Sequence, residues 1–122
     1  MIAVESQPLL ADAARIRLAK LGYKNVRVET GDGSQGWRPD APYDAILVTA
    51  GAPFVPPPLI EQLAEGGRLV IPVGPAKQQE LLRVLKREGR TMQESLIACR
   101  FVPLIGLFGW PSPNPAGEPL RG

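Results

Sequence analysis

Two carboxylates stand where a nucleoside could be held. Glu5 ends the short apolar start MIAV, and Asp32 lies between Gly31 and Gly33 after the segment VRVET. A carboxylate closing a strand can accept both hydrogen bonds of a ribose diol, a recurrent arrangement in nucleotide-binding sheets. One flanked by glycines, with an N–H beside it, can read the edge of an adenine. Each has a plain alternative. Glu5 is also a favourable charge at a helix N-terminus, and Asp32 is also an ordinary turn aspartate. Singly, both readings stay open; on successive strand ends, the joint reading is stronger than either part. The chain contains no histidine and one cysteine. That removes triads built on imidazole, His-based metal sites and any internal disulfide framework, and metal chemistry is not expected. Cys99 lies in an apolar stretch and reads as a buried structural thiol.

A third candidate is DAILVTAGAPFVPPP, residues 44–58. Its apolar start suits a strand buried on both faces. Thr49, Ala50, Gly51, Ala52 and Pro53 follow as small residues ended by a proline that stops the strand. Ligands in open α/β sheets bind just past such carboxyl ends, so these residues mark the floor of a site.

The elements that must carry these residues can be read from the pattern. Residues 1–4 form a strand. A helix follows, capped by Ser6 or Gln7, with Pro8 in its first turn and Gly22 after its end. Leu9, Leu10, Ala14, Ile16, Leu18 and Leu21 supply its apolar face. Strands are expected over 26–30, 43–49 and 68–73, with a short helix over 59–64 ended by Gly66-Gly67. This β-α-β-loop-β-α-β order argues for a parallel sheet with helices on its faces. Residues 80–86 and 95–102 then read as an antiparallel hairpin about Glu88-Gly89-Arg90, the first of them favoured as strand over helix by that context. From Gly109 the chain carries four prolines and several glycines, the composition of a disordered tail. One domain over 1–108 and a tail over 109–122 are expected.

Composition is that of an ordinary globular domain: 122 residues, 44% hydrophobic, 21% charged, formal charge +2. Arg83, Lys86, Arg87 and Arg90 make the main basic cluster, without interleaved aromatics, so a solvated hairpin is favoured over a nucleic-acid surface. No run is long enough to span a bilayer, and the start MIAVES is unlike a secretory leader. A cytoplasmic protein is expected, with neither nucleic acid nor membrane as partner.

The run GDGSQGWRPDAPYDAILVTAGAPFVPPPLIEQLAEGGRLVIPVGP, with QQELLRV and RFVPLIG after it, resembles the protein-L-isoaspartate O-methyltransferases. These repair enzymes use S-adenosylmethionine to methylate the side carboxylate of isoaspartyl residues in damaged proteins. The resemblance covers about residues 2–106 and rests on the order of several motifs. It implies a Rossmann-like methyltransferase sheet, mostly parallel, with a C-terminal antiparallel hairpin. It also implies roles: Glu5 and Ser6 at the cofactor ribose, Asp32 and Gly33 at the adenine, and Ile105 near the cofactor. Thr49, Ala50, Gly51, Ala52 and Pro53, with Val102, Pro103 and Leu104, would line the substrate side. An attacking carboxylate is already ionised at neutral pH, so catalysis would rest mainly on alignment and needs no strong base.

By the same resemblance, these residues lack the family's glycine-rich cofactor loop and a serine implicated in catalysis. The catalytic residue is therefore left unassigned, and the sheet is expected to be N-terminally truncated. A strand would be missing between the first strand and that at 43–49, whose edges must then meet or stay unpaired. Three readings follow: the C-terminal portion of a methyltransferase with little activity alone, a non-catalytic adenosine- or partner-binding module, or a fragment complemented in trans. Self-association through exposed sheet edges is also expected.

Overall fold

The computed structural model describes residues 1–112 of the 122. Strand β1 (Ile2–Glu5) is followed by helix α1 (Pro8–Lys20) and strand β2 (Arg27–Thr30). β1 and β2 pair in parallel, with Glu5 opposite Thr30, so Glu5 and the Gly31-Asp32-Gly33 turn leave adjacent strand ends. Gln7 is the N-cap by backbone, with no side-chain bond, and Pro8 sits where a missing N–H costs no helix bond. Arg17 and Lys20 occupy the last turn, suited to its dipole.

The second unit comprises β3 (Tyr43–Leu47), helix α2 (Pro57–Glu61), β4 (Leu63–Val73), β5 (Gln79–Arg87) and β6 (Arg90–Cys99), in sheet order β3-β4-β5-β6. β3 and β4 are parallel. The antiparallel part is wider than a hairpin, because β5 pairs antiparallel with β4 as well as with β6. Strand was the right reading for residues 80–86. Leu59 of α2 closes over Leu63, Leu69 and Ile71 of β4 and Val84 of β5, all at most 2% exposed. Each such side chain contributes roughly 1.5–3 kcal/mol when withdrawn from water. This is the main core.

Several expectations are corrected. The expected helix over 59–64 is shifted and short. Tyr43 N donates to Gln62 O at 2.7 Å and Leu63 pairs with Tyr43, so strand pairing takes over residues 63–67, Gly66-Gly67 included. β3 is not buried on both faces: Ala45 is exposed and Leu47 is 70% exposed, because β3 is the sheet's edge. Helix α1 is likewise open: Leu9, Leu10, Ile16 and Leu21 are exposed, Ala14 and Leu18 are half-buried, and Ala11 is its one buried residue. The apolar residues do not gather on one face: at helical spacing Leu9 and Ile16 lie nearly opposite Ala11 and Leu18, so the expected apolar face is not formed. The last strand stops at Cys99, short of residue 102, and Cys99 is only half-buried.

The sheet is divided. Among the described residues β1 pairs only with β2, β3 pairs only with β4, and the facing edges of β1 and β3 do not meet. They remain unpaired, one of the two outcomes expected. Gly109 and Trp110, placed by composition at the start of a tail, are tied into the fold: Trp110 N donates to Leu104 O and Gly109 N to Gly106 O. The rest of the expected tail, from Pro113, lies outside the described residues.

Candidate functional site

Three segments converge where the two units touch. The first is the β1–β2 end. Glu5 Oε1 accepts a bond from Gln7 N at 3.2 Å, and its other oxygen has no partner among the described residues. Ser6 is exposed in the turn into α1. Asp32 caps a 3-10 turn, Gly33–Gln35. Its Oδ1 accepts from Ser34 N (2.9 Å) and Ser34 Oγ (2.6 Å); its Oδ2 accepts from Gln35 Nε2 (3.0 Å) and Leu107 N (2.8 Å). Partial burial pushes this carboxyl up, but the bonds from Ser34, Gln35 and Leu107 outweigh it and hold the group below the usual carboxylate range.

The second segment is the loop after β3. Gly51 N donates to Val102 O at 2.7 Å, and Leu104 N donates to Gly51 O at 2.8 Å. Gly51 therefore pairs on both sides with the third segment, around Pro103. Ala52 is fully buried, donating to Pro72 O and accepting from Gly74 N. The apolar loop is thus fastened to β4 beneath and to residues 102–104 beside it. Val102 is 71% exposed, while Leu104 and Ile105 are half-buried.

Two buried glutamines hold these parts. Gln79 Oε1 accepts from Phe101 N at 2.8 Å, and its Nε2 donates to Pro75 O and Ala76 O at 2.8 and 3.1 Å. A Cβ on Gly51 would come within 2.8 Å of Gln79 Cδ, so only glycine lets the loop lie this close. Gln62 Oε1 accepts from Trp37 N and its Nε2 donates to Gln35 O, both at 2.8 Å, tying the loop of residues 33–40 to β4. Neither glutamine was anticipated. Their signal in the sequence is slight: an uncharged amide beside a strand's first apolar residue, with nothing to show that its partners are backbone groups.

Asp32 and Gly51 are thus both tied to residues 102–107, while Glu5, whose O accepts from Gly31 N at 3.0 Å, stands at the end of β1 with Ser6 in the turn after it. A cleft of about 230 Å³ opens beside Asp32, lined also by Gly31, Gln35, Gly36, Trp37 and Arg38; Glu5 is not in its wall. A larger hollow of about 460 Å³, between Arg38, Glu61, Glu65 and Lys86, shares Arg38 with that cleft but none of the expected site residues. Among the described residues no group of acidic, His or Cys side chains could hold a metal, and no helix is long and apolar enough to cross a membrane.

The donor set and the space fit an adenosine-like group in part. A Cβ built on Gly33 would already touch Leu104 Cδ1 at 3.9 Å, so the substrate-side leucine stands beside this glycine. Glu5 has an uncommitted oxygen at the end of the neighbouring strand. The Asp32 carboxylate is already fully engaged, and a ligand amino group would have to replace one of its two exposed donors, the Gln35 amide or Leu107 N.

Comparison with known proteins places the chain in a family. The family model for protein-L-isoaspartate(D-aspartate) O-methyltransferase matches residues 1–108. The protein-L-isoaspartate O-methyltransferase of Methanoculleus marisnigri is 54% identical over 110 residues, which are 90% of this chain and 50% of that protein. A second such enzyme, from Geotalea uraniireducens, is 58% identical over 102 residues, covering 83% and 47%. The chain spans about half the length of the curated relatives it matches. A solved protein-L-isoaspartate O-methyltransferase superposes with a TM-score of 0.81 at 30% identity, over 88% of this chain and 35% of that one. Another, a putative member from Plasmodium falciparum in complex with S-adenosyl-L-homocysteine, gives 0.74 at 26% identity, over 85% and 51%.

Proposed function

Since the chain belongs to the protein-L-isoaspartate O-methyltransferase family, we propose that it carries the nucleoside side and the substrate side of a site that methylates isoaspartyl carboxylates in proteins. The observation that carries this reading is that one segment holds both sides: Leu107 N donates to Asp32, while Val102 and Leu104 exchange backbone hydrogen bonds with Gly51. S-adenosylmethionine, when bound, supplies an electrophilic methyl group. Glu5, with Ser6 beside it, accepts the ribose hydroxyls, and Asp32, Gly33 and Ile105 receive the adenine. Thr49, Ala50, Gly51, Ala52 and Pro53, with Val102, Pro103 and Leu104, border the peptide. Their apolar surface excludes water from the reacting carboxylate, which needs no base because it is already ionised. Holding it in line is then the main demand on the protein.

The turn after β1 is Ser6-Gln7, without glycine, and nothing among the described residues forms a glycine-rich cradle for the methionine end of the cofactor. The purified 122-residue chain is therefore expected to transfer little methyl to an isoaspartyl peptide, while still binding S-adenosylhomocysteine. Glu5→Ala should weaken that binding about tenfold, as loss of charge-assisted bonds does. Robust turnover in a radiolabelled-methyl assay, or calorimetric affinity untouched by Glu5→Ala, contradicts the assignment.

A second reading, completion of the sheet by another polypeptide, is favoured by the unpaired edges of β1 and β3 and the exposed apolar residues of α1. In isolation these same edges favour self-association. Sedimentation equilibrium should find oligomers growing with concentration, and Leu47→Lys, which puts a charge on the 70%-exposed edge residue, should shift them toward monomer. A chain monomeric at every concentration would exclude association through β3.

A further inference from the structure

The last described turn is fastened to the Asp32 turn by a single buried hydroxyl and the carboxylate it holds. Residues 104–110 fold back on themselves: Trp110 N donates to Leu104 O at 2.7 Å and Gly106 N to Trp110 O at 3.1 Å. The two amides at the tip point elsewhere. Leu107 N donates to Asp32 Oδ2 at 2.8 Å, and Phe108 N donates to Ser34 Oγ at 3.1 Å. Ser34 Oγ in turn donates a hydrogen bond to Asp32 Oδ1 at 2.6 Å. Ser34 is fully buried, so its hydroxyl donates to one side of the site and accepts from the other with no water to replace either bond. The packing is close as well, since a Cβ on Gly106 would overlap Asp32 Oδ1 and Ser34 Oγ.

We infer that Ser34 is a positioning residue that makes the Asp32 turn and the 104–110 turn one unit, so that occupation of the nucleoside side sets the position of the substrate-side segment. The ligand half of this inference rests on the nucleoside reading of Asp32 and Gly33. Alanine at 34 can neither donate nor accept. Asp32 then keeps its bonds from the residue-34 amide and Gln35 but loses the shorter of the two that hold Oδ1, and Leu107 faces a less firmly held acceptor although no atom it touches has been altered.

The test is amide hydrogen exchange on the full 122-residue chain, paired with calorimetry using S-adenosylhomocysteine. In Ser34→Ala, exchange at both Leu107 and Phe108 is expected to rise about tenfold, with β4 and β5 amides unchanged, and ligand affinity to fall about fivefold. Acceleration at Phe108 alone, or at neither, overturns the positioning role, because a merely local loss would spare Leu107. If the wild-type chain binds no ligand while both amides accelerate, the nucleoside reading fails and the positioning role stands. If both accelerate and affinity is unchanged, the coupling to ligand is overturned. Gly106→Ala pushes on the same contact from the opposite side and serves if Ser34→Ala does not fold; unchanged exchange at Leu107 and Phe108 there also overturns the inference.

Discussion

Asp32→Ala is expected to reduce S-adenosylhomocysteine binding by at least about 100-fold and to destabilise the chain by about 2–4 kcal/mol. Both effects have one origin. The carboxylate accepts four hydrogen bonds, from Ser34 N, Ser34 Oγ, Gln35 Nε2 and Leu107 N. Removing it leaves the buried hydroxyl of Ser34 without its acceptor and frees the segment carrying Leu104 and Ile105. Asp32→Asn keeps the shape but turns an N–H toward donors, and should fall between wild type and alanine. Acid does reversibly what alanine does permanently. The folded carboxyl is held below its ordinary value of 3.8. Its contribution is therefore fully present above that value and is lost as pH falls through the lower folded pKa. The Leu107 amide resonance should thus be constant from neutrality to about pH 4 and shift only below it. A shift centred above pH 4, or affinity for ligand kept in Asp32→Ala, would contradict this role.

Gln79→Leu is expected to cost about 3 kcal/mol, as buried polar groups left unpaired do. The side chain is 1% exposed and satisfies three backbone groups, Phe101 N, Pro75 O and Ala76 O. Leucine fills similar space and satisfies none of them. The groups belong to the segments that flank Gly51, so the loss should loosen residues 49–53 and 101–104 together. Measured by urea unfolding, the midpoint should fall with little change in slope. An unchanged midpoint would mean that water or a shifted backbone replaces the amide, and would remove Gln79 from the frame of the site.

What the sequence made legible was local. Alternation and turn residues located β1, β2, β4 and the β5–β6 pair. The order of small residues after an apolar run marked Gly51, which the structure joins to residues 102–104 on both sides. The hidden part depends on relations between distant segments. Ser34 reads as an ordinary loop serine until Phe108 is brought to it across 74 positions. Gln62 and Gln79 lie within the stretches that carry the family resemblance, but they bear no charge and nothing there announces two buried amides bridging backbone. The exposure of α1 and β3 was not legible because an apolar side chain encodes a demand for cover and not the cover itself. Leu9 and Leu47 fit a packed methyltransferase sheet, yet among the described residues no strand pairs with the free edges of β1 and β3.

The central claim is that these 122 residues hold the nucleoside of the cofactor and not its methionine end. Isothermal calorimetry of the purified chain with adenosine and, separately, with S-adenosylhomocysteine tests it most directly. The two ligands share every group assigned to Glu5, Asp32 and Gly33 and differ only in the amino-acid tail. Affinities within about threefold of each other, well under 1.4 kcal/mol apart, are predicted. S-adenosylhomocysteine binding tens of times more tightly than adenosine, or neither ligand binding, would contradict it.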